Sequence, residues 1–321
     1  GTLRMHQQLQ RHLQNARRLH QNLVQVRVLK TQGSTYRKSS ARMLIDEQGQ
    51  QYDLVSGGCL ETHLTRQAMK VLRTGIPKFL EYDFADPDAP DWQISVGCRG
   101  KVVLLLEKLS PDNNYASLDL YLQGRLRRQS SWLITQLVNG QSELQSSEAV
   151  TDARTVVELI EPAPRLLLIG TGPDTDAIIN LAHNLDFQVQ VVGSQSQSLQ
   201  SFQHRFPNVA QRVTPRHLDA YLYQHPADYA IVMTHNQSLD AAYLSQASLA
   251  DLALVGMLGP ADRMRRVLDE MTSTAPTHFS APMGLELGGY GAHAVALSVM
   301  SQVQAVHHHM QAQPLHLKSR S

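Results

Sequence analysis

The stretch LLLIGTGPDTDAII, Leu166–Ile179, decides how the second half of the chain is read. Leu166–Ile169 is an apolar run too short for a helix, and it fits a strand buried on both faces. Gly170–Thr171–Gly172 breaks the run, and Asp174–Leu185 then carries apolar residues at helical spacing. Strand, glycine turn and helix open a βαβ unit, where glycines let the backbone turn tightly and approach a phosphate. The rhythm continues with strands at Val189–Val192, Tyr229–Met233 and Ala253–Val255. Helices are expected at Leu239–Leu249, Ala261–Met271 and Ala292–His308, with Ala281–Leu287 extended. Such alternation predicts a parallel sheet. The glycine turn has two readings here, a nucleotide site or the plain turn of a doubly wound fold. Thr175 fills the third glycine slot, Asp174 adds negative charge near the phosphate position, and Gly193–Ser194 replace the acid that holds an adenosine ribose. Only weak NAD(P) binding is expected from that set.

Upstream, Ser142–Ala163 is rich in Ser, Glu and Thr and runs into Pro162 and Pro164, which predicts a linker. Before it the pattern mixes types. A helix is expected over residues 3–22, then a strand at Val24–Thr31 and a polar loop at Gly33–Ser40. Short strands at Arg42–Ile45 and Gln51–Val55 flank a turn, and Leu60–Leu72 reads as a helix ended by Gly75. Lys78–Tyr82 and Val102–Glu107 read as strands, Ala85–Asp91 as a loop and Leu118–Leu137 as a helix. The fold class is therefore α/β: an N-terminal α/β domain over residues 1–150, followed by a Rossmann-like parallel-sheet domain over residues 164–310.

Composition narrows the function classes. With 321 residues, 42% of them hydrophobic and 18% charged, wholesale disorder is excluded and two domains are affordable. No apolar run approaches the roughly 20 residues of a membrane span. Two cysteines cannot staple a chain of this size, and no secretory leader is evident, so a reducing cytoplasm is the expected setting. No acid precedes Asp46, although nine Lys and Arg do. Aromatics for stacking bases are absent from residues 3–22, so a solvated helix is favoured over a nucleic-acid surface.

The two cysteines sit in echoing contexts, Ser56–Gly57–Gly58–Cys59 and Ser95–Val96–Gly97–Cys98. Glycines give a ligand room near the sulfur, and Arg99 would favour a thiolate. The alternative is a pair of small buried hydrophobes. Cys59 and His63, one helical turn apart, are a weaker zinc candidate. Met233–Thr234–His235–Asn236 ends a strand, where open parallel sheets gather ligands, and is expected to converge with Gly170–Gly172 and with Gly256 and Gly259. Asn236 or Ser238 would equally serve as a helix cap. His307–His309 read as a frayed helix end.

Taken together these segments resemble the XdhC/CoxI family of xanthine dehydrogenase accessory proteins. The resemblance rests on Val28–Ser34, Ala41–Leu44, Ser56–Glu61, Gly97–Val102, Leu168–Gly172, Val232–Asn236, Leu254–Gly259 and Ala281–Gly288. It implies a cytoplasmic chaperone that binds molybdenum cofactor (molybdopterin) transiently and assists its sulfuration and insertion into a xanthine dehydrogenase-like molybdenum hydroxylase. Implied partners are that client enzyme, a cysteine desulfurase and a second copy of the chain, with neither nucleic acid nor membrane. By position, Cys59 and Cys98 match the family's recurrent cysteines and are the metal candidates. Gly57, Gly58, Glu61, Arg99, Gly170, Gly172, Thr234 and His235 complete the implied binding set, with Arg37 or Lys38 as further phosphate contacts. No catalytic residue is implied. The alternative function, from a different class, is an NAD(P)-dependent oxidoreductase built on the Rossmann-like half.

Overall fold

The computed structural model describes residues 5–31, 37–38, 41–52, 59–83, 101–150 and 152–315. The chain divides into two compact units, Gly1–Ala163 and Pro164–Ser321, each with its own core.

The first unit contains α1 (Met5–Leu19), β1 (Leu23–Thr31), β2 (Arg37–Lys38), β3 (Arg42–Asp46), β4 (Gln51–Tyr52), α2 (Cys59–Thr74), β5 (Lys78–Asp83), β6 (Lys101–Leu109), α3 (Ala116–Leu126), β7 (Ser131–Gln136), β8 (Ser142–Gln145) and β9 (Thr155–Ile160). An antiparallel sheet runs in the order β4-β3-β1-β6-β5, and a smaller one in the order β2-β9-β7-β8. Alternation along β1 sets the layering. Val24, Val26 and Val28 share a face with Ile45 and Leu106. Gln51 and Lys78, on that same face, hydrogen-bond Thr65 and Gln67 of α2, so α2 covers it.

The other face is unusual for a sheet interior, because it carries charge. Gln25, Arg27, Arg42 and Glu107 lie there and are all buried. Arg42 meets Glu158 of β9 in a two-pronged ion pair at 2.8 and 2.6 Å, with its guanidinium 3.7 Å over the Tyr121 ring. Arg27 reaches Thr135 of β7. Glu107 accepts from Gln25 at 2.8 Å and from Ser117 of α3. Burial pushes the Arg27 guanidinium below its ordinary value, while Glu107 and Glu158 push it back up.

Three expectations are corrected here. Leu118–Leu137 is not one helix: α3 stops at Leu126, and Ser131–Gln136 is the strand β7, paired on both sides. The Asn139–Gly140 pair closes the β7–β8 hairpin, and such pairs are strong hairpin signals. The polar stretch from Ser142 is not a linker, since β8 and β9 complete the small sheet and Glu158 within it is buried rather than solvated. Arg37–Lys38, read as loop, pairs in parallel with β9. The loop expected at Ala85–Asp91 lies outside the described residues.

The second unit contains β10 (Arg165–Ile169), α4 (Thr175–Asn184), β11 (Gln188–Gly193), α5 (Ser196–Arg205), β12 (Ala210–Arg212), α6 (Leu218–Gln224), β13 (Tyr229–Val232), α7 (Gln237–Leu244), β14 (Leu254–Met257), α8 (Ala261–Glu270), β15 (Phe279–Ser280) and α9 (Ala292–His307). All its ladders are parallel, in the order β12-β11-β10-β13-β14-β15. That is the doubly wound order, reversing direction between β10 and β13. Leu166 and Leu168 pack on one side with α4, α5 and α9, and Leu167 and Ile169 on the other with α6, α7 and α8. The helix expected over Leu239–Leu249 ends at Leu244, and a short 3₁₀ turn follows at Ala247–Asp251. No described helix is long and apolar enough to cross a membrane.

Candidate functional site

The sequence-predicted site residues divide by unit. In the first, Cys59 opens α2 and Glu61 lies in its first turn. Their side chains, and all of Gly57, Gly58, Cys98 and Arg99, lie outside the described residues. His63, one turn along, sets its ring edge-on to Tyr82, with centroids 6.2 Å apart. Among the described residues no three His, Cys, Asp or Glu side chains gather as a metal site would need.

In the second unit the structure brings Gly170, Gly172, Thr234 and His235 together at the carboxyl edge of the sheet. Gly170 ends β10 with φ +106°, and a Cβ there would lie 2.6 Å from the Thr234 Cα. Backbone therefore meets backbone, and only glycine fits. A Cβ on Gly172 would overlap the Nε2 of His235, so the imidazole lies directly on the glycine turn. The Gly172 amide donates to the Thr175 hydroxyl at 2.8 Å. Thr175 thus uses the third glycine slot to satisfy the loop from within, and it is fully buried.

A buried carboxylate holds this arrangement. Asp240 on α7 accepts from the Thr234 amide at 3.0 Å and from the Thr234 hydroxyl. Its second oxygen is buried without a hydrogen-bond partner among the described residues. Burial pushes the Asp240 carboxyl above its ordinary value; the Thr234 bonds and the charges of Arg263 and His235 pull the other way. With Thr234 anchored, His235 takes φ +59° and presents its ring to Gly172. Asn236 accepts from the Leu239 amide at 3.0 Å and caps α7, its expected structural role.

Between the strand ends lies a cleft of about 130 Å³, bounded by Gly170, Thr171, Gly193, Ser194, Thr234 and Asn236. It is smaller than the roughly 300–1,000 Å³ of a typical small-molecule pocket. The cleft draws on β10, β11 and β13. Gly256 and Gly259, expected to converge there, instead pack against Met283 and Arg263. His307 is not a loose end either, because its Nδ1 and the Tyr229 hydroxyl share a hydrogen bond at 2.9 Å.

Sequence reasoning placed Ser194 at this edge but missed the residues that hold it. The Tyr243 hydroxyl, buried, donates to the Val213 carbonyl at 2.6 Å and lies 2.6 Å from the Ser194 hydroxyl. A phenol has one proton, already given to Val213, so Ser194 donates to Tyr243 and keeps its lone pairs. Arg212, opposite Gly193 in the β11–β12 ladder, donates through Nε to the Ser194 carbonyl at 3.1 Å.

Comparison with known proteins follows this architecture. Residues 16–83 match the family described as "XdhC and CoxI family", and residues 166–303 match "XdhC Rossmann domain". A Bacillus subtilis protein, named as a probable component of xanthine dehydrogenase, is 28% identical over 86% of this chain and 90% of its own length. The Escherichia coli "Molybdenum cofactor insertion chaperone PaoD" is 23% identical over 90% of this chain and 84% of its own. A solved structure described as a xanthine dehydrogenase from Bacillus halodurans superposes with a TM-score of 0.67 at 25% identity, covering 94% of this chain and 96% of the other.

Proposed function

Because the chain belongs to the XdhC/CoxI family, we propose that it is an accessory protein for a molybdenum hydroxylase, one that binds molybdenum cofactor, assists its sulfuration and hands it to the client enzyme. The observation that carries this reading is the alignment, over nine-tenths of the chain, with a relative named as an insertion chaperone for that cofactor. Cys59 and Cys98 are the residues assigned to it. Thiolates are soft ligands for molybdenum and can carry sulfur as persulfide. Gly57, Gly58, Glu61 and Arg99 would shape and charge their surroundings, and the cofactor's phosphate would meet Arg37, Lys38 or Arg99.

The competing NAD(P)-dependent oxidoreductase draws less support. A dinucleotide held in the usual way lays its diphosphate on the glycine turn. Here the Gly172 amide is bonded to Thr175, and His235 covers the glycine. Anaerobic purification followed by assays for molybdenum, pterin fluorescence and nucleotide on one sample tests the proposal. Molybdenum and pterin are expected in equal amounts, and Cys59→Ser or Cys98→Ser should lose both without a change in melting temperature. Protein free of pterin when drawn from cells that make the cofactor would overturn the reading.

A further inference from the structure

The outer end of the cleft in the second unit has a chemistry the proposed function does not use. Among the described residues that bound the cleft none is acidic. Beside Ser194, which bounds the cleft, stands Arg212, an exposed cation whose Nε is fixed to the Ser194 carbonyl at 3.1 Å. Its two terminal nitrogens make no hydrogen bond among the described residues, so four N–H donors are uncommitted. Beside them the Ser194 hydroxyl, its proton given to Tyr243, offers only lone pairs. The wall thus pairs a fork of cationic donors with a neutral acceptor fixed in direction. The fork matches a phosphate and the acceptor matches a hydroxyl. Ser198, from the first turn of α5, adds a further hydroxyl.

The geometry points to a recognition site for a ribose that carries a phosphate on a ring hydroxyl, as in 2′-phosphorylated adenine nucleotides. The parallel ladder sets Arg212 level with Gly193, the last residue of β11, and Ser194 follows one residue on, at the position that selects the adenosine ribose in doubly wound folds. A carboxylate there would repel a ribose phosphate, and this chain has serine instead. The Gly172 amide is already bonded to Thr175, so the site reads the phosphorylated sugar and not the diphosphate. A mononucleotide therefore suffices as ligand.

The test is titration calorimetry on the full-length protein with four probes: 2′,5′-ADP, 5′-AMP, NADP⁺ and NAD⁺. The two phosphorylated riboses are expected to bind with similar affinity and about ten- to a hundredfold more tightly than their counterparts. Arg212→Gln should erase that ratio and Arg212→Lys should restore part of it. Arg212 is exposed, so neither change is expected to alter the melting temperature, which is checked alongside. Ser194→Ala should weaken all four probes together. Equal binding of the paired probes, a ratio that survives Arg212→Gln, or no binding of any probe would overturn the inference.

Discussion

The two glycines of the turn make different demands on their neighbours. At Gly170 the obstacle is the Thr234 backbone, and φ is positive. Gly170→Ala should cost about 2–4 kcal/mol, with no side-chain change able to relieve it. At Gly172 the obstacle is an exposed ring that can swing away. Gly172→Ala should cost about 1 kcal/mol, and His235→Ala should recover most of it. Urea denaturation of the two single variants and the double variant measures this coupling; additive effects would contradict it. Asp240 gives a pH signature. Its carboxyl is held above the usual value, so the folded state favours the protonated form. The stabilising contribution is complete below the unfolded value of 3.8 and is lost as pH rises through the folded one. As pH rises above the unfolded value of 3.8 the wild type should therefore lose melting temperature that Asp240→Asn keeps. Parallel profiles would refute the assignment. Of these residues Gly170, Gly172, Thr234 and His235 were legible in the sequence, because strand ends followed by glycine or polar turns are where doubly wound folds converge. Asp240 and Arg212 were not, and Ser194 was read only as standing in place of the ribose-binding acid. Asp240 resembles any helix-surface acid, and the Ser194–Arg212 pairing exists only once β11 and β12 are in register.

At the level of elements, the continuous apolar strands were read correctly, whereas β7 was taken into a helix and β9 into a linker. Leu166–Ile169 and Val102–Glu107 announce themselves because burial on both faces demands continuous apolar residues. β9 carries Glu158 and follows a Ser-rich stretch, so it looks like linker; its acid is neutralised by Arg42 from another sheet, a pairing no local window contains. α5 and α6 escaped for the opposite reason, since α5 buries only Leu199 and Phe202 in its ten residues and α6 is a seven-residue segment. The Arg42–Glu158 bridge can be tested directly. Glu158→Ala strands a buried guanidinium and should cost about 3–5 kcal/mol, whereas Arg42→Met with Glu158→Leu should come within about 1 kcal/mol of wild type. Chemical denaturation decides between them, and equal losses would mean the bridge is not the operative interaction.

For the whole molecule, the chain divides at Ala163–Pro164 into two units, each with its own core among the described residues. Residues 164–321 expressed alone should unfold in a single cooperative transition, and a molten far-ultraviolet and near-ultraviolet signature would count against that. The charged layer between the sheets of the first unit has a consequence for how that unit assembles. Greasy surfaces tolerate sliding, because one methyl group replaces another at little loss. Arg27, Arg42, Glu107 and Glu158 do not, since a misplaced sheet would leave each of them in oil with no counter-charge. The layer behaves as a combination lock, rejecting every seating of the small sheet except the one observed, and replacing all four by apolar residues should trade a single set of amide resonances for several.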